Sequence, residues 1–210
     1  MKQKVLILAA GPNRRGWTDE RPNWLAEIEG MPLVVRTCKQ LEKFGYEAVV
    51  VTHNEEVQKA VKTYFVPEVH GAWSETLMST KSLWADRTVA LHGDVIFSEK
   101  LLERILAEDR PLQFHGRPGD AYAIVFKRDA WPEILAALET AIADYKVSIT
   151  ARDNGLIWPF YRALCGWPLH PERHRGDRLY THWTEKDYAQ DIDAVRDYRK
   201  FLEKHAWARA

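Results

Sequence analysis

Three groups of residues in this 210-residue chain have the types and spacing to handle a phosphate-bearing ligand. The first is a turn, in which the apolar run Val5 to Ala10 stops at Gly11 and is followed by Pro12, Asn13, Arg14, Arg15 and Gly16. Glycine adopts dihedrals closed to other residues, and asparagine tolerates the left-handed region better than most. A tight loop can therefore turn the backbone amides around Leu8, Ala9, Ala10 and Gly11 outward. Outward amides bind anions, and the forked guanidinium groups of Arg14 and Arg15 match phosphate oxygens. The second group is Asp94, which follows Gly93 at the end of the apolar run from Thr88. The third is Asp191-Ile192-Asp193. A hard divalent cation that also holds phosphates asks for one or two carboxylates and keeps several waters. Asp94 with Asp191 or Asp193 would supply them, and arginines and amides facing acids suit a Mg2+-nucleotide. Alone, Gly93-Asp94 reads equally as a strand-ending turn, and Asp191 and Asp193 as a surface strand or helix cap.

Groups so far apart in the chain meet only if several elements end together. Val5 to Ala10 is short, apolar at consecutive positions and bounded by turn residues, which is the pattern of a strand covered on both faces in a parallel sheet. Between Pro32 and Gly45, Leu33, Thr37 or Cys38, Leu41 and Phe44 recur at helical spacing. Glu47 to Thr52 is a second buried strand, so strand, helix and strand form a βαβ unit. Thr88 to Val95 reads as a third, followed by a helix that Ser98 caps and that buries Leu101, Leu102, Ile105 and Leu106. Later segments alternate in the same way: strands Gln113 to His115 and Tyr122 to Phe126, a helix Trp131 to Tyr145, a helical turn near Pro159 to Leu164, strands Leu179 to Trp183 and Tyr188 to Asp193, and a helix Ala194 to His205. The expectation is an α/β fold, one domain spanning residues 1–210 with a mixed, mostly parallel sheet flanked by helices. Ligands of open α/β sheets lie beyond the carboxyl ends of the strands, so Asp94 and the Gly11 loop are expected to face one crevice.

Composition narrows the ligand. Lys+Arg and Asp+Glu are 30 each, and a net charge of +0 removes the general argument for nucleic acid or an anionic membrane as partner. Cys38 and Cys165 form no CxxC pair and sit among apolar neighbours, which fits a reducing, cytoplasmic setting. The N-terminal apolar run is too short for a signal segment, and no run reaches transmembrane length. The Gly11 loop lacks both the P-loop and the dinucleotide patterns. His170 and His174 sit beside Pro171 among charges, and read as solvated rather than as zinc ligands. Trp158, Phe160, Tyr161, Trp167, Tyr180 and Trp183 read either as core or as a box for a quaternary ammonium.

Leu8-Ala9-Ala10-Gly11, Arg15, Pro22, Leu25, Gly30 and Pro32 resemble a known signature, LAAGxGxR followed by PK and by Gly-x-Pro before a helix. It belongs to the nucleotidyltransferases that condense an NTP with a phosphorylated sugar or alcohol. Gly93-Asp94 looks like their metal aspartate, and Gln190 to Lys200 is similar to the C-terminal element of the bacterial choline-phosphate cytidylyltransferase branch. The resemblance implies a GT-A-like sheet in which Leu8, Ala9, Ala10, Gly11, Asn13 and Arg14 wrap the nucleotide. Arg15 and Asp94 would be catalytic, with Mg2+ on Asp94 and Asp191 or Asp193. The reaction implied is attack by an acceptor phosphate on the α-phosphorus with loss of pyrophosphate. The partners are then an NTP and a phosphorylated small molecule. Two positions depart from the signature: Asn13 replaces its second glycine, and Asn23 replaces the lysine after the proline. Arg14, Arg21 or Lys81 would have to supply the missing cation, and Ser79 joins Asn23 and Lys81 among the expected nucleotide contacts. A GT-A glycosyltransferase using a nucleotide sugar, and a weak or inactive nucleotide-binding homologue, are the alternatives.

Overall fold

The run Gln3–Leu8 forms the central strand β1 of the protein, whose computed structural model describes residues 2–11, 16–18, 20–117, 120–147, 157–170, 181–183, 189–192 and 194–205. On either side of β1 lie β4 (Ala48–Val51) and β6 (Arg87–His92), both parallel to it. Leu8 is in register with Val51 on one side and His92 on the other, so three carboxyl ends arrive at one level. Between β1 and β4 come the hairpin β2 (Glu27–Ile28) and β3 (Met31–Pro32) and the crossover helix α1 (Leu33–Lys43). The hairpin turns on Glu29 and Gly30 with φ of 55° and 69°, the two positive angles that a tight two-residue hairpin demands. Gly45, at φ 81°, follows α1 as expected.

After β4 come α2 (Glu55–Ala60), capped by the Asn54 side chain, the edge strand β5 (Tyr64–Phe65) and α3 (Trp73–Ser79). The apolar run from Thr88 is not one strand. It breaks at Gly93-Asp94 into β6 and β7 (Val95–Phe97), because β7 leaves the large sheet to pair elsewhere. Ser98 caps α4 (Glu99–Ala107) through Leu101 N, and β8 (Leu112–Arg117), β9 (Asp120–Lys127), α5 (Trp131–Val147) and α6 (Trp158–Leu164) follow. β10 (Thr181–Trp183), β11 (Ala189–Asp191) and α7 (Val195–Lys204) complete the described elements. The seven-stranded sheet runs β10-β8-β9-β6-β1-β4-β5, with β9 the one strand opposed to its neighbours. This is the expected mixed, mostly parallel α/β sheet flanked by helices. A separate antiparallel ribbon pairs β11 with β7.

Alternate residues of each central strand serve opposite faces. Val5, Ile7, Val50, Val89 and Leu91 pack with Leu41 of α1 and with Leu101, Leu102 and Ile105 of α4. Leu6, Leu8, Val49, Val51 and Ala90 pack with Leu77, Ile134, Leu138 and Phe160 of α3, α5 and α6. Both faces are covered, which is why the strands read as unbroken apolar runs. Neither Cys38 nor Cys165 is in a disulfide, and burial pushes the Cys38 thiol up to about 11.

Where β6 turns into β7, Gly93 N donates to Leu8 O at 2.9 Å. A Cβ on Gly93 would stand 2.8 Å from that oxygen and 3.0 Å from Ala9 Cβ and Trp24 Cδ1. The backbone oxygen has no freedom to yield, so overpacking should lower the unfolding free energy of Gly93→Ala by about 1–3 kcal/mol in a urea titration. An unchanged midpoint would show that the ends of β1 and β6 separate freely.

Candidate active site

The carboxyl edge of the sheet is assembled from backbone outward. Ala9 N donates to Val51 O at 2.9 Å, which extends β1 one residue past Leu8, and the Gly93 bond fixes Leu8 from the other side. Leu8, Ala9 and Ala10 are buried, and the chain emerges at half-buried Gly11, where an added Cβ would meet nothing within 4 Å. Asn13, Arg14 and Arg15 lie outside the described residues, as does Asp193.

Asp94 stands in the turn beside this edge. Pro22, extended at φ −71° and ψ 150°, leads into a single 3-10 turn, Asn23–Leu25, and buried Trp24 packs into the core against Gly93. That anchor places Asn23 against Asp94, and its Nδ2 donates to Asp94 Oδ2 at 3.2 Å. Asn23 is only 8% exposed, and its Oδ1 is buried with no hydrogen-bond partner. Asp94 keeps a partly accessible edge but is closely surrounded by protein. Burial pushes its carboxyl above the usual carboxylate range, against the opposing effects of its own backbone N–H and the Asn23 amide.

The C-terminal ribbon brings a second acid. Asp191 sits opposite Val95, and Ile192 N donates to Asp94 O at 3.1 Å, so the Asp191 segment is clasped to the Asp94 turn by backbone pairing. Trp17 Nε1 donates to Ile192 O at 3.1 Å, Trp17 rests on Tyr198 of α7 with ring centroids 5.7 Å apart, and Tyr198 Oη donates to Glu27 O at 2.8 Å. A Cβ on Gly16 would lie 3.3 Å from Val195 Cγ2, so the far end of the Gly11 loop abuts the start of α7. Across the site, the Arg117 guanidinium pairs with Asp120 at 2.7 Å and lies 5.8 Å from the centre of the Tyr122 ring. Burial raises the Tyr122 phenol, Arg117 lowers it, and the negative charges of Asp120 and Asp191 raise it further.

Leu8, Ala9, Ala10, Gly11, Asn23, Asp94 and Asp191 therefore meet at one edge. Ser79 and Lys81 are not brought there: the Ser79 hydroxyl donates to Glu75 O at 2.9 Å, and exposed Lys81 lies in the turn that leads into the amino end of β6. Of the aromatic residues, Phe160 and Tyr161 are buried against Phe114, the latter edge-on at 4.9 Å, while Trp158 and Trp167 pack on Tyr161. These four serve the core; Tyr180 and the Trp183 side chain lie outside the described residues. His170 pairs with Asp144 at 2.7 Å, and His174 is not described. Sequence reasoning missed the contact between Asn23 and Asp94 and the roles of Trp17, Arg117 and Tyr122; the one available signal was the Pro22-Asn23-Trp24 order. A cavity of about 620 Å³ lies elsewhere, lined by Arg36, Lys39, Gln40, Ile96, Phe97 and Phe201 among others and by none of the residues that meet at the carboxyl edge.

The donor set at the edge suits a hard divalent cation. A carboxylate whose side-chain partner is a neutral amide retains its charge for a cation, and Mg2+ needs only one or two such carboxylates when phosphates and waters fill the remaining positions.

The sequence profile of the MobA-like NTP transferase domain matches residues 5–152. The fold is similar to that of CTP:phosphocholine cytidylyltransferase (LicC) from Streptococcus pneumoniae, with 14% identity, a TM-score of 0.66, and coverage of 97% of this chain and 99% of that one. It is also similar to a Bacillus anthracis protein assigned as a glucose-1-phosphate thymidylyltransferase, at 14% identity, TM-score 0.60, and 95% and 93% coverage. Rv0371c from Mycobacterium tuberculosis H37Rv shares 20% identity at TM-score 0.61, over 97% of this chain and 98% of that one. At such identities the likeness is one of fold. No curated protein matches in sequence.

The raised Asp94 carboxyl has a consequence for stability. Its folded pKa exceeds its unfolded one, so the stability it contributes is full below the unfolded carboxylate range and is lost as pH rises through the folded value. In chelator-treated protein, Asp94→Asn should therefore be more stable than wild type near pH 8, by about 1 kcal/mol, with the difference shrinking toward pH 4. Denaturant titrations at the two pH values read this, and a less stable variant at pH 8 would contradict the assigned cost of burial.

Proposed function

We propose that this chain, which belongs to the MobA-like NTP transferase family, transfers a nucleotidyl group from an NTP to a phosphorylated small molecule and releases pyrophosphate. The observation that carries this reading is the joining of the Asp94 turn to the Asp191 segment beside the Leu8 to Gly11 backbone. Acceptors are read as an alcohol phosphate of the phosphocholine kind or a sugar 1-phosphate. The names of the Streptococcus and Bacillus neighbours support both classes.

The backbone of Leu8 to Gly11, with Asn13 beyond it, wraps the nucleotide, and Arg14 and Arg15 donate to the triphosphate oxygens. Asp94, with Asp191 or Asp193, holds Mg2+. When bound, Mg2+ supplies charge neutralisation on the phosphates. An acceptor phosphate oxygen then forms a bond to the α-phosphorus while the bond to the pyrophosphate oxygen breaks in line. Because no covalent protein intermediate is needed, the side chains act by alignment and by meeting the developing negative charge. Asn23 has no charge to add, so Arg14, Arg15 or Arg21 takes up that part, and a weakly active homologue is the second reading. Among the described residues no helix is long and apolar enough to cross a membrane. A cytoplasmic location is the reading that an NTP substrate and cysteines outside any disulfide support.

A pyrophosphate-release screen of the four NTPs against phosphocholine, phosphoethanolamine, glycerol phosphate and several sugar 1-phosphates tests this. At least one pair should turn over with Mg2+, and Asp94→Ala should lower that rate roughly 100-fold or more. Wild-type turnover by Asp94→Ala would remove the metal assignment. Release of a nucleoside diphosphate from a nucleotide sugar, with no pyrophosphate from any pair, would replace the reaction with glycosyl transfer.

A further inference from the structure

We propose that Asn23 is a positioning residue for the divalent cation, its amide N–H holding one oxygen of Asp94 while its carbonyl oxygen receives a hydrogen bond from a water on the cation. The inference rests on the reading of Asp94 as a metal ligand, and it starts from two atoms. Asn23 Nδ2 lies 3.2 Å from Asp94 Oδ2. Asn23 Oδ1 is buried and makes no hydrogen bond.

An ionised carboxylate has no proton to give, so the amide nitrogen is the end of Asn23 that belongs against Asp94. With Oδ2 engaged the carboxylate is held in one orientation, and its several lone-pair sites leave room for a ligand beside this amide and its own backbone N–H. The same orientation turns Asn23 Oδ1 into an acceptor without a donor. A buried carbonyl in that state costs about 1–3 kcal/mol unless a donor arrives. Buried polar atoms left without a protein partner are commonly matched by a water or an ion. Mg2+ gives up its waters reluctantly, and those it keeps are polarised donors that need acceptors close to the carboxylate. Asn23 Oδ1 is such an acceptor, on the same side chain that orients the carboxylate.

The support beneath Asn23 is rigid. Trp24 is buried in the core against Gly93, and Pro22 restricts the backbone on the other side. Residues that orient a metal ligand in this way typically change metal affinity by about 10–100-fold when removed.

Mn2+ alone, counted as free ion by electron paramagnetic resonance, serves as the probe with the full-length protein and no nucleotide. Wild type should bind Mn2+ and Asp94→Ala should lose it. Asn23→Ala should bind roughly 10-fold more weakly. Asn23→Asp, which keeps an oxygen acceptor but loses the amide donor, should bind more tightly than the alanine variant. Asn23→Lys should bind more weakly than the alanine variant, and it reads the same site should the alanine protein fail to fold. If Asp94→Ala loses Mn2+ but Asn23→Ala and Asn23→Lys bind like wild type, the role of Asn23 is wrong and the metal reading stands. If wild type and Asp94→Ala bind alike, the metal reading fails and takes this inference with it. Equal weakening by alanine and aspartate would mark Asn23 as a merely structural residue.

Discussion

The backbone bond from Gly93 to Leu8 is the contact on which the arrangement at the carboxyl edge depends. Parallel strands paired in register deliver their ends to one level, and past that level β1 continues by only one residue, through Ala9 N to Val51 O. The Gly93 amide reaches across to the last carbonyl of β1, and the missing side chain lets Ala9 and Trp24 close in around it. Three otherwise separate features are set by this approach: the exit direction of the Gly11 loop, the position of the Asp94 turn, and the height of the Asn23 turn that Trp24 anchors.

Much of this was written in local residue order. Val5 to Leu8 carries no period-two alternation because both faces of β1 are covered, and that lack was readable. Pro32 and Gly45 bracket α1, and Ser98 caps α4, since caps and stops act through nearest neighbours. The division between β6 and β7 was only partly readable. Gly93-Asp94 could mark a turn, but the pairing of β7 with β11, from far along the chain, is what takes Val95 to Phe97 out of the large sheet. The contact of Asn23 with Asp94 was hidden for the same reason, being set by where Trp24 finds its place in the core. Phe160 and Tyr161 read more readily as core than as a ligand cage, and their packing on Phe114 bears the core reading out.

The electrostatic design of the edge is economical in charge. A neutral amide faces Asp94, while Arg117, whose charge acts on Asp191, is paired with its own neighbour Asp120. Burial makes the charge of this carboxylate costly, and the proposed role of the cation is the natural complement to that cost. A buried acid that disfavours the empty protein and favours the loaded one is a common compromise between stability and function.

The clasp of Ile192 between Asp94 and Trp17 ties residues near the two ends of the sequence to its middle. Such a contact has a long loop to close, and the entropy of that closure delays it until the surrounding sheet exists. During synthesis the strands β1, β4 and β6 can all leave the ribosome and pair while Ile192 is still unmade. A nascent chain would then own most of its central sheet but an open carboxyl edge, and Asp191 would lock into place only after much of the protein had already folded. Assembly of the edge is in this sense a late checkpoint on the chain, enforced by nothing more than the order in which its residues are joined.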